Sequence, residues 1–164
     1  MESFDGYMNE YKTQVRKGLI NQAYKGLMEY MMELKSYFQK KYPEFFVSGS
    51  LYYGYMDMTY FSFFPKSLKE RNLKIAIVFL HEAFRFEVWL SGYNKKVQQE
   101  YWKLIKDSGW KKYRLVPTIQ GFDSILENNL VDNPDFGDLG KLTDQIEKGT
   151  LTFVNDIEAV LAMR

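Results

Sequence analysis

Three charged residues, Asp57, Arg85 and Glu87, occur in stretches of sequence that are otherwise rich in the apolar residues of buried β-strands. Arg85 and Glu87 are two positions apart, so their side chains project from the same face of a strand. Asp57 begins a neighbouring predicted strand, and we expect it to share that face. Charges on a covered face must be paired, and an arginine beside carboxylates can orient an anionic or amide-bearing ligand. We therefore predict a ligand-binding polar pocket formed by Asp57, Arg85 and Glu87.

The same carboxylates allow an alternative, a divalent-metal-dependent hydrolase or nuclease-like enzyme that uses Asp57 and Glu87. In such enzymes two carboxylates on adjacent strands hold the cation, and a lysine is expected two residues after the second acid. That position is Trp89, which argues against the enzyme. A structural ion pair or a solvated sheet face would also explain the charges. We favour a non-enzymatic small-molecule-binding or protein-interaction module, assign no catalytic residue, and predict no metal and no cofactor.

His81 is the sole histidine, and the chain has no cysteine. Histidine is the usual general base near neutral pH and a common metal ligand. A complete metal site is not expected, because no second histidine or cysteine is available as a further ligand. Residues 81–83 separate two apolar runs, which is typical of a hairpin corner. We therefore expect His81 to be an exposed turn residue.

The length of 164 residues predicts a single globular domain spanning 1–164. The formal net charge is +1, so we expect no nucleic-acid partner. The basic segment 95–114 contains tryptophans that could stack on single-stranded nucleic acid, but its lysines also suit the wet face of a helix. The longest apolar run, Ile75–Leu80, is far shorter than the ~20 residues of a membrane span. With no secretory signal at its start, the chain is expected to be cytoplasmic, with no membrane partner.

Aromatic residues make up 18% of the chain, with 13 Tyr and 13 Phe. Such side chains dominate the energetics of protein cores and interfaces. A large aromatic core is the simplest explanation, and a self-association face or a stacking pocket is the alternative. A homo-oligomer and a small-molecule ligand therefore remain open as partners.

Hydrophobic periodicity predicts two helices at the start of the chain, at 4–17 and at about 19–41. The first carries an apolar stripe of Phe4, Tyr7, Met8, Tyr11 and Val15. In the second, the expected buried face begins with Ile20, Ala23, Tyr24 and Leu27. Gly26 lies inside that helix, where glycine costs about 1 kcal/mol relative to alanine. The close approach of another backbone would explain this glycine.

The middle of the chain predicts consecutive strands. The apolar run 73–80 and the alternating segment 84–91 form an antiparallel hairpin. Residues 122–131 fit either a capped helix or a strand, and we favour the strand. Two helices, 138–148 and 150–163, are expected to end the chain on either side of Gly149. Helices thus flank the strands, which predicts an α+β fold: an antiparallel sheet of four to five strands packed by N-terminal, middle and C-terminal helices.

Several strand and turn sequences resemble those of an uncharacterised family of small soluble bacterial proteins, a domain of unknown function. The segments are GYMDMTYF (54–61), LKIAIVF (73–79), FRFEVWL (84–90) and VDNPDF (131–136). The resemblance extends over nearly the whole chain. It implies a bacterial, cytoplasmic protein, and it supplies no activity, ligand or catalytic residue.

Overall fold

The computed structural model describes residues 2–163. Within this range the chain forms five α-helices, six β-strands and a short 3-10 helix at Pro43–Phe45. The helices are α1 (Phe4–Lys17), α2 (Leu19–Lys41), α3 (Lys66–Lys69), α4 (Lys95–Ser108) and α5 (Leu139–Ala162). The strands are β1 (Val47–Tyr52), β2 (Met58–Phe63), β3 (Leu73–Leu80), β4 (Arg85–Gly92), β5 (Arg114–Leu115) and β6 (Leu126–Asp132).

The six strands of the described chain form one antiparallel sheet in the order β1-β2-β3-β4-β6-β5. The predicted α+β class is confirmed, because the helices flank the strands rather than alternating with them. The sheet has six strands instead of the predicted four to five. The shortest strand is β5, in which Arg114 and Leu115 pair with β6 at the edge of the sheet. It lies within residues 113–116, which the sequence predicts as a short strand candidate before Pro117.

The central hairpin of β3 and β4 defines the two faces of the sheet. Ile77 lies opposite Val88, and Val78 lies opposite Glu87. Because side chains alternate along a strand, Ile77 and Val88 point toward α2 and α5 and are fully buried there. Glu87 and the other residues of its parity lie on the opposite face, which we call the polar face. The polar face includes Tyr60, Ser62, Lys74, Arg85, Glu87, Trp89 and Ser91.

Aromatic side chains form much of the core between the helices and the sheet. Phe38 of α2 stacks on Phe63 of β2 with ring centroids 5.8 Å apart, and Phe45 stacks on Phe63 at 4.9 Å. From α5, Phe153 is fully buried and contacts Tyr113 at 4.8 Å. This aromatic core accounts for a large part of the unusual composition.

The C-terminal residues form one continuous helix, α5, so the predicted break at Gly149 is wrong. At Gly149 the helix crosses β6 closely, and a Cβ on this glycine would lie 2.6 Å from Leu130 Cδ2. Any larger residue would have to displace Leu130 from a close-packed position. Gly149 therefore allows tight packing of α5 on the sheet and does not end a helix.

Helix α1 projects from the rest of the molecule. It meets α2 at Gly18, whose φ of 79° is the left-handed conformation that glycine adopts without strain. None of the residues of α1 is buried. Four of the five residues of its predicted apolar stripe are exposed, with Phe4 at 78% and Tyr11 at 58%, and Val15 is half-buried. No helix within the described chain, α1 included, has the length and apolarity needed to cross a membrane.

Candidate functional site

Arg85 and Glu87 lie side by side on the polar face, as their spacing predicts. Arg85 Nε donates to Glu87 Oε2 at 2.6 Å, and Trp89 Nε1 donates to Glu87 Oε1 at 2.8 Å. Glu87 is 3% exposed, so both oxygens of a buried carboxylate are satisfied by neighbours on its own strand. The arrangement is a closed ion pair. Ligand binding by Arg85 and Glu87 stays a prediction.

Asp57 precedes β2 and is exposed. Its Oδ1 accepts a hydrogen bond from the backbone N–H of Tyr55 at 2.8 Å. This bond, with help from the N–H of Met58, lowers the pKa of Asp57. Among the described residues, neither Arg85 nor Glu87 is a hydrogen-bond or ion-pair partner of Asp57. The structure thus brings together two of the three predicted pocket residues.

The chemistry available to a metal ion is limited. Within residues 2–163, no three His, Cys, Asp or Glu side chains come close enough together to hold one. Both oxygens of Glu87 already accept hydrogen bonds. A divalent cation at Glu87 would therefore require the ion pair with Arg85 to open first.

A cleft of about 210 Å³ lies on the polar face beside the start of α4. Lys95 Nζ and Gln98 Nε2 both donate to the carbonyl oxygen of Phe122, at 2.6 and 3.0 Å. Ser91 Oγ donates to the carbonyl oxygen of Asp123 at 2.8 Å. These side chains fasten the segment before β6 to α4 and β4, each through one hydrogen bond to a backbone carbonyl.

A larger groove of about 570 Å³ opens between the first half of α2 and the end of the sheet. We call it the α2 groove. Its volume is within the ~300–1,000 Å³ typical of ligand-binding clefts. The most deeply buried lining residues are Tyr30 and Phe79. The two walls come from Ile20, Ala23, Tyr24, Gly26 and Leu27 on α2 and from Met56, His81, Phe84, Phe136 and Leu139 opposite.

Because of the groove, the buried face of α2 begins later than predicted. A buried face was predicted to begin at Ile20, but Ile20 is exposed, and the first buried residue of the helix is Met28. The apolar pattern of the first turns is real, yet no residue of the described chain covers it fully. These turns form the wall of an open groove instead of part of the core.

Gly26 lines the groove, and nothing lies within 4 Å of the position that its Cβ would occupy. The predicted close approach of another backbone is therefore wrong. Glycine inside a helix costs about 1 kcal/mol relative to alanine, and no packing contact in the described chain requires it. Gly26 is exposed in the groove wall.

His81 lies in the groove wall, half-buried and in edge contact with Phe79 at a centroid distance of 5.1 Å. Its Nε2 is 2.9 Å from Thr59 Oγ1, and that hydroxyl donates to the carbonyl oxygen of Tyr53 at 2.7 Å. Since the hydroxyl proton is already used, Thr59 accepts from His81, which assigns the imidazole proton to Nε2. Nδ1 is then a free acceptor, because no described residue donates to it. The expectation of an exposed turn residue is wrong, because the hairpin corner folds over the start of β2.

The imidazole of His81 is neutral near pH 7. Burial lowers the pKa of His81 from its ordinary value of 6.5, and the carboxylate of Asp57 raises it in part. Asp57 is thus electrostatically coupled to His81 at the edge of the α2 groove. A neutral imidazole with its proton on Nε2 has an acceptor at Nδ1 and carries no charge.

A hydroxyl beside an imidazole is also the arrangement of an activated nucleophile. Thr59, however, is 0% exposed, and its proton points to Tyr53 instead of to the imidazole. A hydroxyl in this position cannot reach a substrate. The bond between Thr59 and His81 therefore positions the imidazole and is not a catalytic pair.

The sequence contained two signals for this site. Gly26 breaks the propensity of an otherwise strong helix, and His81 follows a buried strand directly. The link to Thr59 depends on the register of β2 against β3, where Thr59 lies opposite Phe79. Periodicity alone does not supply that register.

A family model described as a domain of unknown function, DUF7000, matches residues 4–161. The match covers nearly the whole chain, so the protein belongs to this family, which agrees with the resemblance of its strand and turn sequences. No curated protein and no solved structure matches the chain. The family's description names no activity, so a functional proposal has to be derived from the site itself.

Proposed function

We propose that the protein is a non-enzymatic binding module that holds a small, mostly apolar molecule in the α2 groove. The observation that carries the proposal is an open, mostly apolar groove lined by the first turns of α2 and the end of the sheet. Apolar surface removed from water there would contribute roughly 25 cal/mol per Å² to affinity. A groove of about 570 Å³ has room for a ligand the size of a substituted aromatic ring.

His81 indicates the chemical class of the ligand. Its neutral Nδ1 accepts a hydrogen bond, so a hydroxyl or N–H at one end of the ligand would satisfy it. The rings of Tyr24, Phe79 and Phe84 along the groove favour an aromatic or planar apolar body. The protein is therefore suited to a neutral molecule with one hydrogen-bond donor and an apolar remainder.

Calorimetric titration with two matched probes, para-butylphenol and para-butylanisole, tests this proposal. Only the phenol can donate to His81 Nδ1. One hydrogen bond contributes about 0.5–1.5 kcal/mol, so we expect the phenol to bind roughly three- to tenfold more tightly. His81→Phe keeps an aromatic ring without the acceptor, and the preference for the phenol should disappear in this variant.

Substitutions at Gly26 test whether the probes occupy the α2 groove. Gly26→Phe places a ring in the groove and should weaken both probes by about tenfold or more. Gly26→Ala is the matched control, because a methyl group has no neighbour to displace and leaves most of the groove open. Failure of both probes to bind the wild-type protein, or binding that is unchanged in Gly26→Phe, would overturn the proposal.

A further inference from the structure

The apolar stripe of α1 lacks a covering surface in the described chain. The helix has 14 residues, none of them buried. Isolated helices shorter than about 12–15 residues are marginal in water, and most helices are stabilised by packing of an apolar face. Large exposed side chains at Phe4, Tyr7 and Tyr11 are typical of an interaction surface.

The stripe has the spacing of a seam between two helices. Phe4, Met8, Tyr11 and Val15 are separated by four, three and four residues, which is the seven-residue pattern of paired helices. Tyr7 lies along one edge of this line. A partner for such a stripe is another helix with a similar stripe, because side chains from each helix fill the gaps of the other.

The charges along α1 indicate which helix that is. Residues 2–11 carry three acidic side chains and no basic one, whereas residues 12–17 carry three basic side chains and no acidic one. Two copies of α1 in antiparallel orientation set each acidic half against a basic half, twice by symmetry. A parallel pair would align like charges. Residues 2–17 together carry three acidic and three basic side chains, so this segment gives no excess of cations for an anionic membrane surface.

We propose that α1 is a dimerisation helix that packs antiparallel on α1 of a second copy of this chain. Met8 and Tyr11 lie at the centre of the seam, and Phe4 packs near the partner's Val15. Asp5 and Lys12 are seven residues apart and so flank the same edge of the stripe. Antiparallel pairing brings Asp5 toward the partner's Lys12.

The size of the surface sets the expected affinity. The exposed portions of Phe4, Tyr7, Met8 and Tyr11 supply on the order of 400 Å² per helix, taking ~150–250 Å² for a whole aromatic side chain. This is roughly half of the ~800 Å² per partner in a standard interface. We therefore expect a reversible dimer with a dissociation constant in the micromolar range.

Sedimentation velocity of the full chain over a micromolar dilution series tests the proposal. Met8→Glu introduces a charge at the centre of the stripe and should weaken dimerisation by at least about tenfold. Thr13→Glu introduces the same charge on the opposite side of α1 and is the matched control. We expect the Thr13→Glu variant to dimerise as the wild type does.

A charge exchange tests the antiparallel orientation. Asp5→Lys places like charges together and should weaken the dimer, whereas the double variant Asp5→Lys with Lys12→Asp restores opposite charges and should recover most of the loss. Both variants carry the same unfavourable lysine in the first turn of α1, so the effect of this lysine on the helix is common to the two. An equally weak dimer in both variants contradicts the antiparallel seam.

Other outcomes would overturn the proposal itself. The first is a wild-type protein that remains monomeric over the whole series, and the second is a dimer that survives Met8→Glu. A third is loss of the dimer in Gly26→Phe, which would show that the second copy occupies the α2 groove. Since Gly26→Phe should weaken probe binding by about tenfold or more and spare the dimer, ligand binding in the α2 groove and dimerisation through α1 can fail separately.

Discussion

His81 donates its Nε2 proton to the buried hydroxyl of Thr59 across 2.9 Å, and this bond joins the corner of the β3–β4 hairpin to the start of β2. It fixes both the tautomer and the orientation of the imidazole. The chemistry of the α2 groove therefore depends on a residue that is itself inaccessible to any ligand.

The first prediction concerns pH. The pKa of His81 is lowered in the folded protein from its ordinary value of 6.5, so below about pH 6.5 the unfolded chain binds a proton before the folded one does. The contribution of His81 to stability is complete above this value and is lost as the pH falls toward the folded pKa. Urea unfolding between about pH 7.5 and about pH 5.5 should show the decline. His81→Gln should reduce the slope, since no other histidine exists; an unchanged slope would refute the assignment.

Protonation should also weaken ligand binding. Below its pKa, His81 Nδ1 becomes a donor and can no longer accept from the phenol probe. We expect the affinity for para-butylphenol to fall with pH, while the affinity for para-butylanisole changes little. Parallel changes for the two probes would show that the phenol does not bind at His81.

The glycines at 26 and 92 should respond to alanine in opposite directions. Gly26→Ala removes a helix penalty and meets no neighbour, so it should stabilise the protein by about 1 kcal/mol. At Gly92 a Cβ would lie 2.5 Å from the backbone nitrogen of Gln98, so Gly92→Ala should destabilise it by about 1–3 kcal/mol. Midpoints of urea denaturation measure both. If both substitutions stabilised the protein, or both destabilised it, the result would contradict the packing described for Gly26 and Gly92.

Glu147 of α5 holds the end of α2. It accepts from Tyr37 Oη at 2.9 Å, from Lys41 Nζ at 2.8 Å and from the hydroxyl of Tyr42. Burial opposes ionisation, but these bonds outweigh it and lower the pKa of Glu147. Glu147→Leu leaves two tyrosine hydroxyls without their acceptor and should cost about 2–3 kcal/mol in the free energy of unfolding, whereas Tyr37→Phe should cost about 1 kcal/mol. Equal costs would mean that Tyr42 and Lys41 find other partners.

The loss of stability should depend on which partner of the Arg85–Glu87 ion pair is removed. Arg85→Ala leaves a carboxylate that is 3% exposed without its cation, and we expect a loss of about 3 kcal/mol. Glu87→Gln keeps an oxygen for Trp89 and leaves the partly exposed Arg85 free to reach water, so the loss should be about 1 kcal/mol. Thermal or urea unfolding distinguishes these values. A larger loss of stability in Glu87→Gln than in Arg85→Ala would contradict this expectation. It would indicate that Arg85 depends on the carboxylate more than Glu87 depends on the guanidinium.

Alternation of side chains was sufficient to predict the hairpin and the position of Arg85 and Glu87 on one face of the sheet. It was not sufficient for Asp57, because its position relative to β4 depends on two successive registers. Met58 lies opposite Leu80, and Leu80 lies opposite Arg85. The residue aligned with Arg85 is therefore Met58, and Asp57 has the opposite parity. A difference of one residue changes the face of the sheet.

The α2 groove could not be predicted from the sequence. The apolar face of a helix has the same residue pattern whether it packs against the core or lines a groove. Ile20 and Leu34 contribute equally to the periodicity of α2, yet Leu34 is buried and Ile20 is not. The difference lies in what the rest of the chain places opposite them. The same holds for Gly149, where the crossing with Leu130 is a long-range contact with no local signal.

The projecting position of α1 has a consequence for how the molecule opens. Because none of its residues is buried, unwinding α1 disrupts no core contact and can proceed while the sheet stays intact. Amide hydrogens of α1 should therefore exchange with solvent far faster than those of β3 and β4, which exchange through larger openings. Residues 4–17 thus form a unit of low local stability attached to a rigid body, and any surface that covers the helix will slow its exchange selectively.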